Sequence, residues 1–459
     1  MRDLTQGSIP RHIIRMAAPM AVGMLFQTAY FFVDLYFVGR LGDAAIAGVG
    51  TAGNLQFMVM AVSQVLSVGT MVIISHAAGR KDSVAGTLTY NQSLVLSAIA
   101  GVLTLLLGYT AGFAWVRGIA ADARTAELGI EYLAWFLPAL ALQFPLGAMM
   151  STLRATGIAQ PTMVIQVATV VLNALLAPIL IAGWGTGRPL GVAGAAIASD
   201  IALVVAIGLA LYYFKRLEHF VRFDASQLRP HLDTWKRLLA IGIPSGLEFG
   251  LMFISMAVVY WIIRDFGPAA QAGYGIGSRV LQGVLLPGMA IAFAAAPVAG
   301  QNIGANRPDR ARQTFIAAVS LGSAVMLGLS ILCHFRPEWL VHWFSDEPEV
   351  LAVAATFLAT ISMNYVASGI VFTCSGMFQA LGNTLPTVVA SGVRLLCFVP
   401  PALWASHQPG FTLQRLWYIS VAATTMHAIV AVAMLLREAR RRSELHLLDG
   451  TAPATPAAA

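Results

Sequence analysis

Gly42-Asp-Ala-Ala-Ile-Ala-Gly-Val-Gly50 recurs 225 residues later as Gly267-Pro-Ala-Ala-Gln-Ala-Gly-Tyr-Gly275, with six identities in nine positions. The same offset carries Pro19 onto Pro244 and Gly79 onto Gly304. It also carries Gly157-Ile-Ala-Gln-Pro161-Thr162 onto Gly382-Asn-Thr-Leu-Pro386-Thr387. Single matches are common where Ala and Gly abound. One offset held across more than a hundred residues marks an internal duplication.

What is duplicated is apolar. Of 459 residues, 58% are hydrophobic and 11% charged, with mean hydropathy +0.74. A soluble domain carries about 25% charged residues because its surface must be wetted, so this chain reads as an integral membrane protein. Crossing roughly 30 Å of hydrocarbon takes about 20 apolar residues. Candidate spans lie near 12–38, 44–75, 88–114, 130–153, 162–183 and 190–214, then near 238–263, 269–300, 313–335, 350–378, 386–406 and 415–436. Runs this long exclude a β-barrel. The fold class is therefore all-α membrane protein, with twelve transmembrane helices in two pseudo-symmetric six-helix bundles. The expected lobes are 1–214 and 238–442, joined by a cytoplasmic linker at 215–237 and followed by a disordered tail at 443–459. The first span lacks a small-residue cleavage site and carries Asp34, so it reads as a retained helix.

Lys and Arg set the orientation, since cytoplasmic loops keep positive charge. With the N-terminus inside, nineteen fall on inner segments and seven on outer ones, while Arg279 and Arg394 lie within spans. Both termini are expected in the cytoplasm, with the protein in the inner or plasma membrane. The formal charge of +7 is then an excess facing the inner leaflet, and no nucleic-acid partner is implied. Cys333, Cys374 and Cys397 all sit in apolar runs, suggesting neither disulfides nor a thiolate metal site.

Six spans per copy is an even number, so both copies cross in the same sense. Parallel repeats of this kind enclose a cavity between bundles that rock against each other, which points to a transporter. The sequence holds no phosphate loop, H-E-x-x-H or G-x-S-x-G motif. The G-x-G-x-G at Gly273–Gly277 lies inside a span with no preceding strand and reads as helix packing. Uphill transport would then draw on an ion gradient, with no cofactor beyond a proton or sodium ion.

Ionisable groups at membrane depth are costly, so each is a functional candidate. They are Asp34, Asp200, Glu248, Arg279, Arg394 and His427. The repeat offset pairs Asp34 with Val259, Asp200 with Thr425, Glu248 with Gly23 and Arg279 with Asn54. None is duplicated, so each half has its own chemistry. Asp34, with Asn173 as a candidate hydrogen-bond partner, comes first for ion coupling; Asp200 and Glu248 are the others. Arg279 reads either as a counter-ion for Glu248 or as a contact for an anionic substrate group. Gln27, Tyr30, Met252 and Met256 join Arg279 as expected cavity residues, because soft and aromatic side chains suit varied apolar ligands. His427 reads as a neutral, satisfied histidine.

Gly-Ser-Ile-Pro-Arg at 7–11, Pro-Met at 19–20, Val-Asp-Leu-Tyr-Phe-Val-Gly-Arg-Leu-Gly at 33–42 and Ala-Gly-Gln-Asn-Ile-Gly-Ala-Asn at 299–306 together resemble the multidrug and toxic compound extrusion (MATE) family, in its DinF-like branch. The resemblance spans about residues 4–440. It implies a V-shaped antiporter that exports cationic, amphipathic compounds against protons or sodium. It also implies that Asp34 is the coupling residue of the N-terminal half and that Pro19 is a hinge for bending the first span. The family's fifth span has Asn followed four residues later by Asp; here Asn173 is followed by Ala177. Where some members carry Asp in the tenth span, this chain has Ser368. Both departures weaken a multi-carboxylate sodium site and favour protons, with Asp200 as a candidate replacement.

The expected function is thus ion-coupled export of organic cations or drugs by alternating access, by a monomer in the lipid bilayer. A flippase for a lipid-linked or amphipathic precursor is the alternative, favoured if Arg279 and Arg394 both face the cavity. A membrane enzyme would need a nucleophile–base pair or a metal cluster, and the sequence offers neither.

Overall fold

The computed structural model describes residues 1–448 apart from Ala121, Thr186, Ser345 and Asp346, and apart from the side chains of Tyr30, Phe31, Phe32, Asp34, Leu35 and residues 442–448. Long apolar runs can satisfy their backbone in hydrocarbon only as helices, and the described residues contain no strand. The first half holds α1 (Ile9–Gly39), α2 (Asp43–Arg80), α3 (Ser83–Ile119), α4 (Ala123–Ala155), α5 (Gln160–Ala182) and α6 (Gly191–Leu217). The second holds α7 (Leu232–Ile263), α8 (Pro268–Gly304), α9 (Pro308–Phe335), α10 (Pro348–Leu381), α11 (Leu385–Ser406) and α12 (Leu413–Leu448). Helices α2 to α12 are each long and apolar enough to span a membrane. With 31 residues, α1 is about 46 Å long and completes the twelve.

The connection between the halves is shorter than the polar run 215–237. Helix α6 continues to Leu217 and α7 begins at Leu232. Lys215, Arg216, Lys236 and Arg237 therefore ride on helix ends, where long basic side chains can reach water. The tail expected at 443–459 is helical to Leu448; residues 449–459 lie outside the described residues.

The duplication is repeated in backbone detail. At the end of α2, Asp82 N–H donates to the Ala77 carbonyl and Lys81 N–H to Ala78; at the end of α8, Arg307 donates to Asn302 and Asn306 to Ile303. Lys81 and Asn306 have φ of 60° and 55°, the left-handed turn that ends a helix in this pattern. Gly157 and Gly382 end α4 and α10 the same way, with φ of 80° and 71°, values that an L side chain rarely adopts. Pro161 and Pro386 then start α5 and α11, where a missing N–H costs nothing.

Each half packs its own core. Leu133, Phe136, Leu140 and Phe144 of α4 centre the first lobe, and Phe357, Tyr365, Phe398 and Trp417 the second. A third cluster belongs to both: Ile13, Met16 and Met20 of α1 pack with Ala290, Ala294 and Val298 of α8. Helix α1 runs unbroken past the buried Pro19, as α7 does past the equivalent Pro244.

Candidate functional site: an inter-lobe cleft and the polar groups beside it

The lobes meet tightly at the end that carries the N-terminus and the connection. There, a β-carbon on Gly69 would collide with the Leu238 carbonyl, and one on Gly242 with the Val65 carbonyl. The same holds for Gly79 against the Gln301 carbonyl and Gly304 against the His76 carbonyl. Each contact joins one lobe to the other, so glycine is what lets the backbones approach.

Moving along α2 and α7 from this end, Gly246 lies against Ala61, and Phe57 meets Phe253 with ring centroids 5.1 Å apart. Past the glycine contacts the helices have free space: a β-carbon on Gly50 or Gly53 of α2, Gly250 of α7 or Gly283 of α8 would meet nothing within 4 Å. Helical periodicity identifies what faces this space. Gln27 lies seven residues beyond Met20, two turns and about 20° away on the face that packs on α8. Arg279 lies eleven residues from Ala290, three turns and about 20° away on the face of α8 that packs on α1. Both are exposed, as are Met252 and Asn54, their equivalents at the 225-residue offset. The cleft is thus lined by two symmetry-related pairs, Gln27 with Met252 and Asn54 with Arg279. Met256 is half-buried on α7.

The first-lobe candidates come only partly together. Asn173 on α5 is fully buried and donates from Nδ2 to Ser199 Oγ on α6 at 3.3 Å. Its Oδ1 has no hydrogen-bond partner among the described residues. Asp200 follows Ser199, so its side chain leaves α6 about 100° away. It is half-buried, and its Oδ1 likewise has no partner among the described residues. Ala177 is buried in the lobe's apolar core. Asp34 and Tyr30 lie on α1, but their side chains are outside the described residues. Ser199 is not legible as a partner from the sequence, because nothing there ties position 199 to 173.

In the second lobe, Glu248 accepts from Ser375 Oγ of α10, at 3.2 Å to Oε2 and 3.5 Å to Oε1. Glu248, Ser375, Thr387 and His427 line one cavity of about 10 Å³, room for roughly one water. Arg394 reaches Thr424 Oγ1 at 3.5 Å on α12 and lies close to His427 and Tyr274. The sequence shows Glu248, Arg394 and His427 singly; three helices, α7, α11 and α12, bring them into one cluster. The expected pairing of Glu248 with Arg279 is not what the structure shows. Glu248 turns into its own lobe and Arg279 is exposed on the cleft, with no ion pair between them among the described residues. Arg394 sits within the second lobe rather than beside Arg279, so the arrangement expected of a flippase is absent. Ser368 is half-buried on α10.

Two parallel repeats, sealed at one end and parted at the other, with charged groups held inside the lobes, define a membrane transporter rather than an enzyme. The MatE family model matches residues 19–179 and again 244–404, two stretches offset by the same 225 residues. The chain belongs to the MatE family. The multidrug export protein MepA of Staphylococcus saprophyticus is 26% identical over 455 residues, covering 97% of this chain and 98% of that protein. The probable multidrug resistance protein NorM of Deinococcus radiodurans is 27% identical over 440 residues, covering 94% and 96%. A solved structure described as the outward-facing conformation of a multidrug resistance MATE family transporter has a TM-score of 0.89 at 25% identity, covering 96% of this chain and 98% of that one.

Proposed function

We propose that this protein exports cationic or amphipathic small molecules in exchange for protons, by alternating access of the inter-lobe cleft. The observation that carries the reading is the cleft itself, closed by glycine contacts at one end and lined by Gln27, Asn54, Met252 and Arg279 towards the other. Relatives named for multidrug export agree with it. The balance of basic residues puts both termini in the cytoplasm, so the open end faces outward, and the monomer acts within the inner or plasma membrane.

Coupling would run through the ionisable and polar groups carried by the helices of each lobe. In the first lobe these are Asp34, Asn173 and Asp200, where two buried oxygens without partners among the described residues invite a proton or cation. In the second lobe it is Glu248. Ala177 and Ser368 stand where carboxylates would build a multidentate cation site, and a lone carboxylate suits a proton better than sodium. Pro19 would let α1 bend as the first lobe changes protonation.

The test is ethidium efflux from proteoliposomes under separately imposed proton and sodium gradients, comparing the wild type with Asp34→Asn. Proton-driven efflux abolished by the substitution is the expected result. Efflux that survives in Asp34→Asn would remove Asp34 from the mechanism, and efflux driven by sodium alone would overturn the choice of ion.

A further inference from the structure

His76 and Gln301 are equivalent at the 225-residue offset, and so are Ala155 and Ala380. His76 Nε2 lies 2.7 Å from the Ala380 carbonyl oxygen. Gln301 Nε2 donates to the Ala155 carbonyl at 2.8 Å. A carbonyl can only accept, so His76 carries its hydrogen on Nε2. Each lobe therefore sends one side chain across the closed end to the last turn of a helix in the other lobe. The two bonds are related by the same pseudo-symmetry as the lobes themselves.

The Gln301 side carries more. Its Oε1 accepts from Leu4 N–H at 3.0 Å, and the neighbouring Asn302 Nδ2 donates to the Leu4 carbonyl at 3.3 Å. Arg307 and Arg310 donate to the Thr5 and Gly7 carbonyls, both at 2.9 Å. On the other side, Arg2 N–H donates to the Thr156 carbonyl of the first lobe at 2.7 Å. Residues 2–7 are thus a strap tied to both lobes, and Gln301 is 1% exposed beneath it.

We infer that His76 and Gln301 are a matched pair of positioning residues that latch the closed end, with the strap reinforcing the Gln301 side. This rests on the rocking of the lobes proposed above. Opening this end separates α8 from α4 and α2 from α10, so both bonds must break. A hydrogen bond across the lobes is made only while they are together. Its loss therefore shifts the balance between closed and open, rather than the affinity of either state for substrate. Both side chains are spent on the closed end, so neither is a substrate contact.

The experiment is distance measurement by pulsed spin-label spectroscopy on the full-length protein in nanodiscs, with Cys333, Cys374 and Cys397 replaced by alanine. One labelled pair, Arg80→Cys with Asp309→Cys, reports the closed end; another, Asp43→Cys with Asp265→Cys, reports the opposite end. Gln301→Ala and His76→Ala are each expected to raise the ratio of opened to closed molecules at the first pair about 10-fold, the scale of one interior hydrogen bond. Gln301→Glu keeps the acceptor for Leu4 but loses the donor to Ala155, so it should also open this end. His76→Gln, which can still donate, should restore the wild-type distribution, a rescue that a packing role would not predict. Distributions like the wild type in all the latch variants would overturn the inference. A wild type that keeps one distance at each end at every pH and sodium concentration would overturn the rocking itself, and the latch with it.

Discussion

Arg279 and Asn54 occupy equivalent positions in the two repeats, and both are exposed on the walls of the cleft. The scaffold thus offers the same place twice and puts a charge in only one of them. A cation held about 7 Å from a guanidinium in a wet cleft is disfavoured by about 1 kcal/mol. Arg279→Asn, which makes the two walls alike, should lower the apparent KM for a monovalent organic cation about 5-fold at low ionic strength. Salt screens this repulsion, so the gain should shrink as salt is raised. Transport kinetics in proteoliposomes at two salt concentrations check both statements, and an unchanged KM at low salt would place Arg279 away from the bound substrate.

Glu248 has Gly23 as its repeat equivalent, and Gln166 of α5 fills the space beside that glycine. A neutral amide thus stands in one lobe near the place where a carboxylate stands in the other. Glu248→Gln keeps an acceptor for Ser375 and removes only the charge, so the bundle should fold. Gradient-driven efflux should fall at least about 10-fold, while equilibrium binding of the dye changes less than about 3-fold, the pattern of a lost coupling group. Intact efflux would make the Glu248–Ser375 pair a packing contact.

The fold was legible because its signals repeat: the Gly42–Gly50 stretch, the prolines and the apolar runs each occur twice at one offset. The charges at membrane depth were legible as a set, since each stands out against an apolar background. Their partners were not. Which neighbours Glu248 meets depends on how α7 packs against α10 to α12, and a sequence carries periodicity without neighbours. Arg279 and Glu248 look like partners because both are charged, yet they face different compartments of the molecule. The latch is present in the sequence too, since Gln301 falls on His76 under the same offset, polar on polar. Neither residue stands out there as a buried carboxylate does, because an amide or a neutral imidazole costs far less to hold in an apolar setting.

Gly79 and Gly304 each face a backbone carbonyl of the opposite lobe, which no rotamer change can move aside. Gly79→Ala should hold the lobes apart and cost the closed state about 1–3 kcal/mol. Gly208, where a β-carbon meets nothing within 4 Å, provides the control, and Gly208→Ala should be silent. Spin-label distances between Arg80→Cys and Asp309→Cys read the difference: longer distances are expected with Gly79→Ala and no change with Gly208→Ala. Equal distances in both would show that the glycine contacts do not govern closure.

Gln92 anchors the connection between the lobes. It is fully buried on α3, where its Nε2 donates to the Gln227 and Arg229 carbonyls at 2.6 and 2.8 Å. Its Oε1 accepts from His231 N–H at 2.9 Å and from Trp235 Nε1–H at 2.7 Å. One side chain therefore fixes the segment leading into α7. Truncation leaves several of these groups without partners, and each buried orphan costs about 1–3 kcal/mol, less where water can enter. Gln92→Ala should destabilise the protein by about 2–4 kcal/mol, seen as a lower Tm in detergent. Gln92→Glu should not rescue it, because a carboxylate keeps the two accepted bonds but sets an oxygen against the Gln227 and Arg229 carbonyls. If the connection were a passive tether, both variants would melt like the wild type.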